Sequence, residues 1–355
     1  MPNSRSYNTA ITQQNNGGTV SPFVGAKNFL LNSDFSIWQR GVSFTSGLTS
    51  PTSYTADRWV AWNNANGQVT RQTSDLSNFR YFIRYQRAAS ATAGDGMSLV
   101  QNLETNQSIQ LAGKAVTISV WARKGANFSP TSGQFVIYLF TGTGIDQNYA
   151  SYTGQASTSG VFTPTTSWQR FSFTTTVPAN ATECAVIFSY VPSGTAGAAD
   201  YMDYAGAQLE IGNVPTSFST ATGNPSNELM ACQRYYERSY NLDMPSGTAN
   251  TLGNGAIGNT GNSLAGSTAG NVGGFTILPF KVTKRVAPTM VTYDYDGTAN
   301  AVRVYPGDAK RTGVTGLANV QTSGAYQFMS FNNTSATAIG SNNTIMFHWT
   351  ADAEL

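Results

Sequence analysis

Charge is what this chain has least of. Only 11% of its 355 residues are Asp, Glu, Lys or Arg, against about 25% in ordinary soluble domains. The net charge is +2 and no Lys/Arg cluster is present, so the sequence lacks the basic footprint of a nucleic-acid binder. Cysteine is nearly absent as well. Cys184 and Cys232 cannot build a disulfide framework and read as buried free thiols. A lone histidine, His348, excludes a two-histidine metal site, and the two distant cysteines lack zinc spacing. The longest purely apolar run, Phe135 to Phe140, is far short of the roughly 20 residues a membrane helix needs, so membrane insertion is not expected. Met1-Pro2-Asn3-Ser4-Arg5 carries no apolar signal core, which argues against Sec export.

Gly, Ser, Thr and Asn fill the gap, together with 17 Tyr, 19 Phe and 6 Trp. A surface that is polar without charge suits a β-rich protein with many turns. A length prior of about 150 residues per domain gives two domains. Residues 1–24 are rich in Asn, Gln, Thr and Gly with little apolar periodicity, and read as a flexible or partner-ordered arm.

From residue 25 to 220 the apolar pattern has period two. Val116-Thr117-Ile118-Ser119-Val120-Trp121 places its aliphatic side chains on one face, and Arg170-Phe171-Ser172-Phe173 and Val186-Ile187-Phe188-Ser189-Tyr190 read the same way. Around ten short strands without a convincing helix predict an antiparallel jelly-roll β-sandwich, closed by a last strand from Asp200 to Glu210. Residues 221–242 follow as a linking helix. Asn224 is its cap, Pro225 its first residue, and Leu229, Cys232 and Tyr236 share a face through to Arg238. Residues 243–355 read as a smaller C-terminal β domain. Its strand patterns run over Phe275–Val282, Thr289–Tyr295, Ala301–Tyr305, Tyr326–Phe331 and Thr344–Trp349. Between Gly247 and Gly274, nine of 28 residues are glycine, several times the usual rate of about 7%, so this stretch is assigned to loops. The expected class is all-β: a jelly-roll sandwich, one short helix, and a smaller β domain with Gly-rich loops suited to contacting a receptor.

Five stretches carry a family resemblance. Asn28 to Gly41 is an apolar strand start, a polar turn and an aromatic pair, and Tyr54-Thr55-Ala56-Asp57-Arg58-Trp59 follows closely. Together they resemble the opening of a jelly-roll module of bacteriophage tail fibres and other virion surface proteins, and more distantly the first strand of carbohydrate-binding modules. Ala205 to Phe218 is similar to that module's closing strand, Glu228 to Tyr236 to the helix after it, and Phe347 to Leu355 to a common end of such tail proteins. Asn32, Asp34, Trp38, Asp57, Arg58 and Trp59 are the structural motif of this resemblance. It implies a tail-fibre or receptor-binding virion protein, made in the host cytoplasm and located on the particle's tail or surface. Such a protein attaches to host cell-surface glycans, forms a homotrimer, and meets other virion proteins through residues 1–24. The carbohydrate-binding modules carry Phe-Glu in the first strand, where Glu commonly helps hold calcium. Here the pair is Phe35-Ser36, and a hydroxyl is a poor substitute for a carboxylate, so no metal or other cofactor is expected; Asp34 and Asp203 are the oxygen donors left should calcium bind.

Aromatic side chains give the ligand argument, because the C–H faces of sugars stack on Trp and Tyr. Trp59 and Trp62 lie three apart on a strand and so face opposite ways. Trp62, Tyr85 and Tyr138 are the candidate ligand-binding residues, while Trp38, Trp59 and Trp121 are assigned to the core. Asp57-Arg58 reads as an internal ion pair or hydrogen-bond anchor for the loop from Gly41 to Ala56. No catalytic motif accompanies His348, so no enzyme is expected. Two competing readings stand beside attachment. One is a capsid decoration or adaptor protein without sugar binding. The other is a polysaccharide depolymerase using two acids from Asp200/Asp203 or Asp294/Asp296.

Overall fold

The computed structural model describes residues 28–46, 48–63, 67–92, 94–242, 244–249, 257–259, 278–305, 309–312, 314–320, 326–333 and 344–355. The arm expected at 1–24, and most of the Gly-rich stretch after Gly247, lie outside these residues.

The fold is all-β. Its first part contains β1 (Ser43–Phe44), β2 (Val60–Trp62), β3 (Gly67–Thr73), β4 (Tyr81–Arg87), β5 (Met97–Asn102), a single helical turn α1 (Thr105–Ser108), β6 (Ala115–Lys124), β7 (Phe135–Gly142), β8 (Ala156–Phe162), β9 (Gln169–Thr176), β10 (Glu183–Tyr190) and β11 (Tyr201–Ile211). They pair antiparallel into a six-stranded sheet, order β1-β3-β4-β11-β6-β9, and a five-stranded sheet, order β2-β5-β10-β7-β8. The inner faces of the two sheets bury one core. Ile118, Val120 and Tyr204 come from the first sheet, and Leu99, Ile137, Leu139, Val186 and Phe188 from the second. Trp59 stacks on Phe188 at 5.9 Å and Phe188 on Tyr204 at 5.4 Å, so one aromatic column bridges the sandwich. Truncating such a ring to Ala costs about 3–5 kcal/mol.

Strand β11 carries a bulge between Ala205 and Gln208. Gly206 sits there at φ +56°, and a Cβ would meet the Phe79 ring, so both conformation and space require glycine.

The helix after the sandwich is α2 (Pro225–Gln233), with Asn224 accepting from the amides of Ser226 and Asn227. It stops earlier than the apolar spacing suggests. Tyr236–Arg238 is a strand, β12, because its backbone pairs with the far end of the chain instead of continuing the helix. The remaining strands are β13 (Ile257–Asn259), β14 (Leu278–Lys284), β15 (Thr289–Tyr293), β16 (Ala301–Tyr305), β17 (Ala309–Thr312), β18 (Val314–Val320), β19 (Tyr326–Asn333) and β20 (Thr344–Asp352). β20 is the hub of this part, pairing with β12, β13, β15 and β16, while β14-β19-β18 form a separate sheet.

Candidate functional site

The outer face of the five-stranded sheet is built by parity. In β7, Phe135, Ile137 and Leu139 point into the core, so Val136, Tyr138 and Phe140 point out. In β2, Ala61 enters the core while Val60 and Trp62 face outward. Register then fixes the neighbours. Trp62 lies opposite Ser98, Ser98 opposite Ser189, and Ser189 opposite Val136. The next row reads Val60, Val100, Ile187, Tyr138 and Ser159. A third row carries Ala185, Phe140 and Ser157.

A loop closes one side of this face. Tyr149 lies edge-on to Trp62 at 6.0 Å and to Phe140 at 6.3 Å, while Tyr138 meets Phe140 at 5.7 Å. Val60, Val100, Ile187 and Tyr149 are buried beneath, and Trp62, Tyr138 and Phe140 remain half-buried. The Ser98 and Ser189 hydroxyls join at 2.9 Å, and the Ser157 and Ser159 side chains stand free on β8. Two donors are left over: the Trp62 indole N–H and the Tyr149 hydroxyl are buried and without hydrogen-bond partners among the described residues. Burial pushes the Tyr149 phenol above its ordinary range, so it stays protonated and able to donate. The result is an uncharged aromatic platform bordered by hydroxyls, chemically suited to the alternating C–H and O–H surface of a sugar.

The structure places the predicted ligand residues unequally. It brings Trp62 and Tyr138 onto this one face. Tyr85 is corrected: it is fully buried in the sandwich core, accepting from the Asn63 amide at 2.7 Å, because β4 turns Ile83 and Tyr85 inward together. Trp121 is corrected the other way. It lies half-buried on the outer face of the six-stranded sheet with Phe82 and Trp168, since Val120 and Ala122 take the inward positions of β6. Phe140, Ser98 and Ser189 were not singled out from sequence. The signal was present in Phe135 to Phe140, a strand apolar on both faces.

The Asn32–Trp59 motif lies elsewhere and, apart from the half-buried Asp34, is internal. Asn32, at φ +48°, closes its loop by donating to the carbonyls of Ile37 (2.8 Å) and Asp57 (3.0 Å) and accepting from the Ile37 amide. Trp38 and Trp59 are buried, each donating its indole N–H to a backbone carbonyl, of Phe35 and Asn32 respectively. Asp57 accepts from the Gln39 backbone and side chain. Arg58 does not pair with Asp57. It forms a buried ion pair with Glu354, donates to the Asn102 carbonyl at 2.8 Å, and lies 3.5 Å over the Tyr235 ring. Arg40 contributes a second contact to Glu354 (3.4 Å) and one to Asp352 (3.0 Å). Burial pushes the Glu354 and Asp57 carboxyls above their usual range despite these cations. The motif is the seat on which residues 352–355 are held.

No family model matches the chain, and no curated protein matches it. Among solved structures it is similar to the enzymatically active domain of tailspike protein 4 of bacteriophage CBA120, at 12% identity and TM-score 0.33, over 54% of this chain and 22% of that one. It is also similar to TmCBM61 in complex with beta-1,4-galactotriose, at 13% identity and TM-score 0.31, over 52% of this chain and 99% of that one. A third likeness is to the C-terminal family 22 carbohydrate-binding module of Clostridium thermocellum Xyn10B. Its identity is 16% and its TM-score 0.32, over 46% of this chain and 91% of that one. The chain therefore spans about a fifth of the tailspike domain's length and nearly all of the two modules'.

Of the candidate acids, Asp200, Asp203, Asp294 and Asp296 are held in ion pairs. Asp203 is buried and holds Arg84 at 2.7 Å and Arg123 at 2.9 Å, so calcium there would face two guanidinium groups. Asp34 accepts from the Ser36 hydroxyl at 2.9 Å and its amide at 3.3 Å. Among the described residues no group of three or more His, Cys, Asp or Glu could hold a metal ion. Asp200 is buried against Arg87 at 3.0 Å, and Asp294 against Arg303 at 3.8 Å and Lys310 at 3.4 Å. Each has the surroundings of a structural ion pair rather than of a free acid or base. His348 is buried, stacked 3.8 Å from Tyr240 and 3.1 Å from the Ser239 hydroxyl.

Proposed function

We propose that this chain is a glycan-binding attachment protein of a phage-type particle, and that the outer face of its five-stranded sheet is the contact surface. One observation carries the reading: Trp62, Tyr138 and Phe140 are co-facial and half-buried, with the Trp62 N–H and the Tyr149 O–H unpartnered beside them among the described residues. The sequence resemblance to tail-fibre modules supplies the biological setting. In that setting the chain acts as a homotrimer on the virion, its residues 1–24 contacting other virion proteins and its platforms engaging host cell-surface glycan. Three copies convert weak single sites, on the order of millimolar, into firm adhesion.

The test is glycan-array binding by the purified chain, followed by titration of the best neutral ligand against Trp62→Ala and Tyr138→Ala. Saturable binding to a neutral glycan, lost in both variants, is the expected result. Binding that is unchanged in both would overturn the assignment of the face. Stoichiometric binding to capsids with no glycan retained would favour a decoration or adaptor role.

A further inference from the structure

The outer face of the six-stranded sheet holds arginines in two different conditions. Arg84 and Arg123 are neutralised by Asp203, and Arg123 also by Asp75. Arg170 on β9 is half-buried and has no carboxylate partner among the described residues. Its Nη2 donates to the Ser119 hydroxyl at 2.9 Å, and its Nε is buried with no hydrogen-bond partner among them. Glu210, on the neighbouring strand β11, is already committed to the Gln208 amide and to the backbone and hydroxyl of Thr216. This guanidinium carries a charge that no carboxylate among the described residues balances.

Its surroundings resemble a sugar platform. Arg170 lies directly opposite Trp121 in the β6–β9 ladder, and the next outward pair is Ser119 opposite Ser172. Trp168, two residues before Arg170, belongs to the same half-buried aromatic cluster as Trp121. A half-buried planar cation without a carboxylate partner among the described residues, a half-buried indole and the exposed Ser172 hydroxyl stand on one face, away from the Trp62 platform.

We propose that Arg170, Trp121 and Ser172, with Ser119 buried beneath as the anchor of Arg170, form a second saccharide site, selective for the carboxylate of a uronic-acid unit. Recognition is a charge-assisted contact between the carboxylate and the half-buried Arg170 guanidinium, with the sugar ring against Trp121. The site is independent of the five-stranded face, so an acidic glycan can engage the sandwich from both sides.

The experiment is a calorimetric titration of the full chain with trigalacturonate and with its carboxyl-reduced neutral counterpart. The acidic sugar should bind about ten-fold more tightly, the scale of one charge-assisted contact. Arg170→Gln should abolish that preference, while Trp62→Ala should leave it in place. Should Arg170→Gln fail to fold, Arg170→Lys keeps the charge without the fork and should lose most of the preference. Equal affinity of the native chain for the two sugars overturns the proposal. So does a preference that survives in the Arg170 variants, or inorganic phosphate competing as well as trigalacturonate, which marks a plain anion site. Trp62→Ala losing neutral binding while Arg170→Gln changes nothing would sink this site and spare the first.

Discussion

The two aromatic-rich regions of the sandwich, the Asn32–Trp59 motif and the outer face of the five-stranded sheet, are opposites in how their polar groups are treated. Around the motif, charges are engaged and mostly buried: Arg58 with Glu354, Arg40 with Glu354 and the more exposed Asp352, Asp57 with Gln39. On the sheet face there is no ion pair among the described residues, the rings are half-buried, and donors are left over. Completed polar networks hold a structure in one arrangement, whereas unpaired donors beside exposed rings leave room for a partner. The conspicuous sequence motif is thus a joint, and the inconspicuous alternation of β7 makes the open surface.

The sharpest way to break this contrast is to cut the joint. Arg58→Ala leaves Glu354 buried beside Arg40 alone and should destabilise the protein by about 3–5 kcal/mol, read as a shift in the denaturant midpoint. Glu354→Ala should cost a similar amount. The double replacement Arg58→Met with Glu354→Leu should recover much of the loss, since neither charge is then stranded. Glycan affinity of the folded fraction should not change in any of them. A glycan defect as large as the stability defect would merge the two regions into one site and end the distinction.

Acid should loosen the sheet around β20 through His348. Burial, with Arg238 nearby, lowers this imidazole from 6.5 to about 4. The folded state therefore favours the neutral ring. Its contribution is complete above pH 6.5 and is lost as pH falls toward 4, with a limiting slope of about 1.4 kcal/mol per pH unit. Asp57 and Glu354, whose carboxyls are raised, respond in the opposite sense and favour folding on acidification. The His348 part is isolated by subtracting the profile of His348→Gln from that of the native chain. If the two profiles run parallel between pH 6.5 and 4, His348 is not the sensor.

Local periodicity made much of the sandwich legible before any coordinates. Val116–Trp121 and Val186–Tyr190 read as strands because alternation is a property of neighbouring residues, and Asn224-Pro225 marked the helix start for the same reason. Long-range pairing was not legible. Tyr236–Arg238 becomes a strand only because Arg238 to Tyr236 meet Thr350 to Asp352. The partner of Arg58 lies 296 residues away, while its sequence neighbour Asp57 turns to Gln39. Parity placed Trp59 and Trp62 on opposite faces. It also set Trp121 on the face away from Val116, Ile118 and Val120, and Tyr85 on that of Ile83, so both were misassigned because residue type was allowed to outweigh alternation.

Removing a ring from the open face should reverse the pattern seen at the joint. Trp62→Ala removes a half-buried indole and its unpartnered N–H, and should weaken neutral-glycan binding by about ten-fold or more, near 1.4 kcal/mol. Tyr138→Ala should do the same, while Tyr138→Phe should retain most affinity if the ring rather than the hydroxyl is used. Titration calorimetry reads the affinities, and equilibrium unfolding checks that the sandwich persists. Tyr85→Phe serves as the contrast. It strips a hydroxyl bonded to Asn63 deep in the core, so stability should fall and affinity should hold.

The smallest effect is expected at the hydroxyl pair. Ser98 and Ser189 bond one another at 2.9 Å on adjacent strands, so Ser98→Ala alone leaves the Ser189 hydroxyl seeking a new partner. The pair is only part-buried, and water can satisfy the survivor, which keeps the stability cost below about 1 kcal/mol. Affinity should fall two- to five-fold by about the same energy if a sugar hydroxyl uses this row. Replacing both serines by alanine removes the orphan and should restore stability without restoring affinity. That separation is the finest available test of the face. Stability and affinity returning together would mean that Ser98 and Ser189 only hold the sheet, and that ligand contact is confined to the rings.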